Sequence, residues 1–437
     1  MTTKQHAPMT TEEFIKQHHE DDVRQLALQG GRYPDMDMTF ALQQIAGWQT
    51  ARRKLPSWAE TEGIVYPPHL SMEQCSSEQT ARYKASVVSR FEGTEVRGSE
   101  STKLVDLTGG LGVDFAFMAK AFDKAVYVER QPHLCEAARK NFPLLGLERA
   151  EVVCGDGIDF LHQLDHASCI FLDPARRDQH GSRTYAMSDC TPDVLALKDE
   201  LLEKADWVMV KLSPMLDWHK AVGDLNESGD VVREVHIVSV GNECKELLLV
   251  LSLRNGTPLT VHCVNDGEDF HYSPSVHLKT FTKVYKTDDF EPFHRDNKDP
   301  SPTEKCTSTQ NTLFTPLYLY EPNSSVMKAG CFNVLQERFR ATQLSHDSHL
   351  FVSNHFIEDF PGRKFLISTI SSMKEIKGIL KKLQLTNAHV AIRNFPMTAN
   401  ELRKRLRLKD GGDTYIFGTT LEGGKHRLLI GSKVIKS

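Results

Sequence analysis

The spacing of apolar positions changes period along the chain, and those changes divide it. Residues 1 to about 95 read as helical: 11–29 is amphipathic, and 38–53 carries Phe40, Leu42, Ile45, Ala46 and Trp48 at near-helical intervals. Past Pro56, Pro67 and Pro68 comes SSEQTARYKASVVSRF, where Ser76 and Gln79 are placed to form a capping box for a helix ending near Phe91. From Lys103 the period alternates. Short strand-like runs at 104–105, 125–129, 150–156, 169–173 and 206–212 are separated by helical stretches at 112–122, 132–145, 157–164 and 192–204. Two last strands, 231–240 and 246–253, have no helix between them and predict a hairpin with one antiparallel member. Such alternation predicts a doubly wound, mostly parallel α/β sheet that binds ligands at the carboxyl ends of its strands.

The chain then loses its regularity. Strands at 276–285 and 313–320 are expected to pair around a polar, proline-containing stretch, 286–312, read as a mobile loop or linker. Regular patterning returns at the end. A strand at 364–370, a helix capped at Ser371 or Ser372, a strand at 389–395, a helix at 399–408 and two hairpin strands at 414–419 and 426–435 make an α+β unit. The predicted domains are thus 1–95 (helical), 96–257 (the α/β core), 258–360 (a small α+β linking region) and 361–437 (α+β).

Composition adds one asymmetry. At 437 residues, with 40% hydrophobic and 25% charged, the chain is ordinary for a globular protein of two or three domains. The net charge is −5, yet from Pro361 onward sixteen Lys/Arg face five Asp/Glu, a surplus of +11 that leaves −16 on the rest. A basic tail on an acidic body suggests a polyanionic partner for the tail. Nine cysteines without a CxxC pair read as reduced, mostly buried thiols, and no metal site is expected. The histidines His162 and His166, at i, i+4 on a predicted helix, lack a third ligand and are read as a solvated face. With no membrane-length apolar run and no signal-like start, the chain is expected in the cytoplasm, away from membranes.

The chemistry gathers at strand ends. In LVDLTGGLGVD, residues 104–114, a strand runs into an acid and then three glycines within four positions, Gly109, Gly110 and Gly112, before a helix. Glycine lets a ligand approach the main chain, and the N–H groups of a helix start suit polar or anionic groups. The acids Asp106, Glu129, Asp156 and Asp173 end the first four strands. Glu129 is suited to the two hydroxyls of a ribose, as in an NAD-binding fold, but GGLG is not GxGxxG. Taken singly, each acid also fits a helix-capping or solvated role.

The whole set, with Asp156–Gly157 and Asp173–Pro174, resembles the class I S-adenosylmethionine-dependent methyltransferases. The resemblance implies that Asp106, Thr108, Gly109, Gly110 and Gly112 hold the methionine part of the cofactor. It assigns Glu129 to the ribose and Asp156 with Gly157 to the adenine. FLDPARRD, residues 171–178, is similar to the Asp-Pro-Pro loop of methyltransferases that modify nitrogen atoms or RNA bases, which implies that Asp173 and Pro174 hold the acceptor in line. Two departures bear on the atom methylated: Ala175 replaces the second proline, and Arg176 stands where an aromatic ring often stacks on the base. Arg176, Arg177 and Arg183 are suited to substrate phosphates or carboxylates, or to plain solvation. Lys211 and Ser213, after the fifth strand, lie on the same rim. Tyr83 and Lys84 are read as helix surface, with contact to the cofactor, as segments before the first strand make in some methyltransferases, as the alternative.

SSEQTARYKA, LYEPNSSVMKAG and the ending IRNFPMTANELRKRLRLKDGGDTYIF further resemble bacterial methyltransferase-like proteins that end in a THUMP-like domain. That resemblance implies a Rossmann-like methyltransferase core between an N-terminal helical domain and a C-terminal THUMP-like α+β domain. THUMP domains in other enzymes bind RNA, so Arg403 and Arg405 of ELRKRLRL become candidate RNA contacts. The expected function is methyl transfer to tRNA or rRNA. Alternatives are a protein or small-molecule methyltransferase, or a cofactor- or RNA-binding protein that has lost catalysis.

Overall fold

The computed structural model describes residues 9–91, 101–176, 187–254, 258–274 and 316–434. The chain forms two compact units: Met1–Val240 with Cys244–Val261, and Gly241–Glu243 with His262–Ser437.

The first unit opens with six helices: α1 (Thr11–His18), α2 (Val23–Leu28), α3 (Met38–Lys54), α4 (Pro56–Glu60), α5 (His69–Gln74) and α6 (Glu78–Val88). Phe14, Leu26, Ala41 and Ile45 join the first three into a small core of their own. The later helices do not stand apart. Trp58, Tyr66, Met72, Val87 and Val88 share one continuous apolar core with Leu104, Phe115, Tyr127 and Phe142 of the sheet layer. Polar clasps fix the join: Asn141 donates to Val65 O at 2.9 Å and accepts from Val65 N at 2.8 Å.

The α6 cap differs from expectation. Ser77, not Ser76, caps the helix through Thr80 N, and the Ser76 hydroxyl is drawn instead to the buried Asp114 carboxylate at 2.7 Å. Ser76 gives its O–H to a buried charge and accepts from Lys84 Nζ at 3.3 Å, so the next hydroxyl, Ser77, accepts the helix N–H.

The sheet of this unit contains β1 (Lys103–Asp106), β2 (Lys124–Glu129), β3 (Ala150–Cys154), β4 (Ala167–Leu172), β7 (Ala205–Leu212), β8 (Val232–Val240) and β9 (Glu243–Leu251). Two-residue strands β5 (Ala175–Arg176) and β6 (Cys190–Thr191) pair with each other outside it. Connecting helices are α7 (Val113–Met118), α8 (Pro132–Leu144), α9 (Gly157–Gln163), α10 (Val194–Lys204) and α11 (Trp218–Leu225). The strand order is β8-β9-β7-β4-β1-β2-β3. Neighbours among β3, β2, β1, β4 and β7 are parallel, and β9 runs antiparallel to β7 as the hairpin pattern requires. Chain order reverses between β1 and β4, which opens a crevice at their carboxyl ends.

The hairpin of β10 (Thr260–Asn265) and β11 (Glu268–Tyr272) belongs to the second unit from His262 onward. That unit's own sheet of β12 (Leu317–Pro322), β13 (Thr342–Gln343), β14 (Phe351–Ser353), β15 (Gly362–Ser371), β16 (His389–Arg393), β17 (Thr414–Thr420) and β18 (His426–Lys433) has the order β13-β14-β12-β15-β18-β17-β16. Helices α12 (Ser324–Ala329), α13 (Phe332–Phe339), α14 (Ile376–Lys382) and α15 (Ala399–Leu406) complete the unit. The sequence predicts pairing of 313–320 with 276–285, and the described part of the first segment falls in β12. Instead β12 is bonded on one edge to β14 and on the other to β15, and a strand has only two edges. The segments 276–285 and 286–312 lie outside the described residues.

Buried Glu321 ties this sheet together, meeting Arg363 Nε at 2.7 Å and Arg393 Nη2 at 2.8 Å. Among the described residues, no helix is long and apolar enough to cross a membrane.

Candidate active site

The carboxyl ends of β1, β2, β3 and β4 surround a cavity of about 270 Å³, and Asp106, Glu129, Asp156 and Asp173 all line it. The glycines fit where nothing larger would. A Cβ at Gly109 would stand 2.2 Å from the Tyr127 ring, and one at Gly157 would stand 2.1 Å from the carbonyl oxygen of Leu107. Gly110 and Gly112 have φ of +56° and +81°, left-handed angles open to glycine at little cost. Tyr127 donates its hydroxyl to Gly110 O.

Carboxylates hold the loop from both sides. Asp106 Oδ1 accepts Thr108 N at 2.9 Å, and the Thr108 hydroxyl in turn accepts Asp173 N at 2.6 Å, linking the ends of β1 and β4. The two oxygens of Glu129 accept Gly110 N and Gln131 N, each at 2.9 Å. Each keeps a second lone pair. Asp156 caps α9 through Ile158 N at 2.8 Å and Asp159 N at 3.4 Å, so it lines the cavity and caps a helix at once.

Asp106 is 1% exposed. Burial, with smaller contributions from the nearby Asp114, Asp173 and Glu129 charges, pushes its carboxyl up to about 8 against the opposing Thr108 N–H. The folded protein therefore keeps this proton from the ordinary 3.8 up to about pH 8, where an unfolded chain has released it. Stability of the cofactor-free protein should fall as pH rises through that window, by about 1.4 kcal/mol per unit at most, and level off above it. Asp106→Asn should remove this slope. Urea unfolding from pH 5 to 8 checks it, and equal slopes in both proteins would contradict it.

At the end of β4, Asp173 meets the Lys211 ammonium at 2.5 Å. The register Leu172↔Val210 between β4 and β7 puts the two residues side by side. Pro174 is buried, Ala175 is exposed, and Arg176 pairs its backbone with Cys190. Arg177 and Arg183 lie outside the described residues.

The remaining candidates fall in the second unit. Arg403 is bound to Asp410 at 3.0 Å and Asn400 at 2.9 Å, so a structural pairing occupies it; Arg405 is exposed on α15. Arg407, expected inside that helix, is its left-handed C-cap.

The sequence did not reveal what lies behind this rim. Ser71, Gln74, Cys75 and Ser76, from the helical segment that carried no chemical signal, line the cavity. Lys84, expected on a helix surface, is 0% exposed among Ser76, Asp114 and Glu246, and Tyr83 meets His236 Nδ1 at 2.8 Å. Strand 246–253 contained the Glu246 partner, 162 positions away, which no local pattern signals. His166 lies past the end of α9, and His162 pairs with Glu200 at 3.0 Å. On the β10–β11 hairpin, His262 Nδ1 is 2.8 Å from Asp269 Oδ2. This is a direct hydrogen bond, closer than the roughly 3.3 Å separating two ligands of one tetrahedral zinc.

Two family models match within the second unit: a ferredoxin-like domain over 318–361 and a THUMP domain-like domain over 362–433. They divide the sheet between β12 and β15. The whole chain matches the crystal structure of a candidate methyltransferase from Porphyromonas gingivalis W83 at 30% identity and TM-score 0.76, covering 100% of each chain. The chain belongs to this methyltransferase family. Partial likenesses include an S-adenosylmethionine-dependent methyltransferase from Agrobacterium tumefaciens (18% identity, 40% of this chain and 62% of that one, TM-score 0.29). Another is an O-methyltransferase from Bacillus cereus in complex with SAH (11% identity, 46% and 99%, TM-score 0.31). No curated protein matches the chain.

The site suits S-adenosylmethionine, the cofactor that the sequence resemblance implies: a glycine cradle a Cβ would fill, a buried acid at its floor and a carboxylate on the adjacent strand. When bound, the cofactor supplies a methyl group activated on a sulfonium.

Proposed function

We propose that this methyltransferase modifies a base of tRNA or rRNA by in-line methyl transfer, with the acceptor held by the FLDPARRD loop. Asp106, Thr108 and the loop glycines Gly109, Gly110 and Gly112 take the methionine part of the cofactor. The free lone pairs of Glu129 accept the ribose hydroxyls, and Asp156 with Gly157 borders the adenine. The Asp173 carboxylate accepts a hydrogen bond from the acceptor and receives its surplus proton as the new bond to carbon forms and the sulfur–carbon bond breaks. Alignment and exclusion of water are then sufficient for a donor this reactive.

What supports RNA as the substrate is a coincidence of boundaries. The THUMP-like match begins at residue 362, and the surplus of positive charge begins at 361. Exposed Lys404 and Arg405 on α15 offer phosphate contacts, as do Lys377, Lys381 and Lys382 on α14.

The test is transfer of labelled methyl groups from S-adenosylmethionine to total RNA. Uptake is expected. Reversing two charges, Lys404→Glu with Arg405→Glu, should weaken RNA binding by about tenfold at moderate salt. No uptake into RNA, beside uptake into protein, would replace this reading with a protein methyltransferase. Deleting residues after 361 would be a poor control, because it strips β15 from β12 within one sheet.

A further inference from the structure

Asp173 is the exposed end of a line of buried charges. Lys211 Nζ lies 2.5 Å from Asp173 Oδ2 and 3.6 Å from Asp114 Oδ2. Asp114 Oδ1 faces Lys84 Nζ at 3.1 Å as an ion pair without hydrogen-bond geometry, and Lys84 reaches both oxygens of Glu246 at 2.6 Å. Ser76 donates to Asp114 and accepts from Lys84. Signs alternate along the line. Side-chain exposure is 40% at Asp173, 13% at Lys211, 10% at Asp114, 0% at Lys84 and 3% at Glu246.

Such a line is costly, since apolar residues of the same volume often serve stability as well or better. Two groups in the middle of the line are nevertheless held in their charged forms. Burial would push Asp114 up, but the ammoniums of Lys84 and Lys211 hold it below its ordinary value. Burial would pull Lys211 down, but Asp173 and Asp114 hold it raised.

We propose that Lys211 is a positioning residue for methyl transfer. It pins one oxygen of Asp173 so that the other is presented to the acceptor, while Asp114, Lys84 and Glu246 fix Lys211 from behind. This rests on the reading of Asp173 as the acceptor-holding group. A half-exposed carboxylate without a fixed partner would turn freely among its rotamers. The Lys211 ammonium on the neighbouring strand, 13% exposed, gives it a fixed partner before the acceptor arrives, and misplacing a reacting group by about 1 Å costs on the order of 100-fold in rate. Through Lys84, the N-terminal helical segment becomes part of that support.

A double-mutant cycle tests the proposal: wild type, Asp173→Asn, Lys211→Met and the double variant, each measured for methyl transfer to RNA and for cofactor affinity by calorimetry. Lys211→Met should slow transfer about 100-fold with cofactor affinity within about threefold of wild type, and Lys211→Arg should recover part of the rate. The double variant should be no slower than Asp173→Asn, because Lys211 acts through that carboxylate. Losses that multiply, or a wild-type rate in Lys211→Met, overturn the inference. A wild-type rate in Asp173→Asn overturns the underlying reading as well, whereas a slow Asp173→Asn beside a fast Lys211→Met overturns this inference alone. If Lys211→Met does not bind cofactor, the cycle is run with Lys211→Arg under the same criterion.

Discussion

Asp173→Ala should slow methyl transfer by about 1,000-fold, within the range for losing a positioned proton acceptor, while cofactor affinity stays within about threefold of wild type. The separation follows from which atoms of Asp173 bond to what. Its backbone N–H holds the Thr108 hydroxyl and so braces the glycine loop, and truncation at Cβ leaves that bond in place. Its carboxylate meets only Lys211 among the described side chains, at the rim of the cavity. Lys211 retains Asp114 when the partner is removed. Transfer assays with labelled cofactor, beside calorimetric titration, read the two effects separately. A rate within tenfold of wild type would mean that the acceptor is held elsewhere.

Lys84→Met should destabilise the first unit by about 3–5 kcal/mol near neutral pH, the usual cost of breaking a buried ion pair from one side. Lys84 has no water to replace it: its ammonium is 0% exposed and supplies Glu246 and Asp114 at once. Removing it takes both hydrogen bonds from Glu246 and leaves Asp114 with Ser76 and Lys211. Burial already raises the Glu246 carboxyl despite Lys84, so protonation at lower pH should discharge part of the stranded site and shrink the loss. All four tryptophans, Trp48, Trp58, Trp207 and Trp218, belong to the first unit, so urea unfolding followed by their fluorescence reports that unit. A loss below about 1 kcal/mol would show the pair to be solvated in solution.

Local features of the fold were legible in the sequence, and distant ones were not. The alternation of strand and helix located β1 to β4, β7 and the final hairpin because each carries its own periodicity. The helix expected at 399–408 is present as α15, Ala399–Leu406, placed by the same local periodicity. The cavity acids were legible because strand ends are read from local pattern, and parallel pairing then brings those ends together.

Long-range pairing left no such mark. Ser76 carries the appearance of a helix cap, and only the folded chain shows the Asp114 carboxylate that claims it. Lys84 looks like an ordinary helix cation until β9 places Glu246 against it. Likewise, the basic run of α15 suggested several RNA contacts of equal standing, whereas Asp410 occupies Arg403 and leaves Arg405 exposed.

The central claim, methyl transfer to an RNA base from a donor held over Asp106 and Glu129, is tested most directly by mass spectrometry of nucleosides from cells with and without the gene. One methylated nucleoside should disappear on deletion, return with the wild-type gene and stay absent with Asp173→Ala. An unchanged nucleoside profile across all four strains would contradict it.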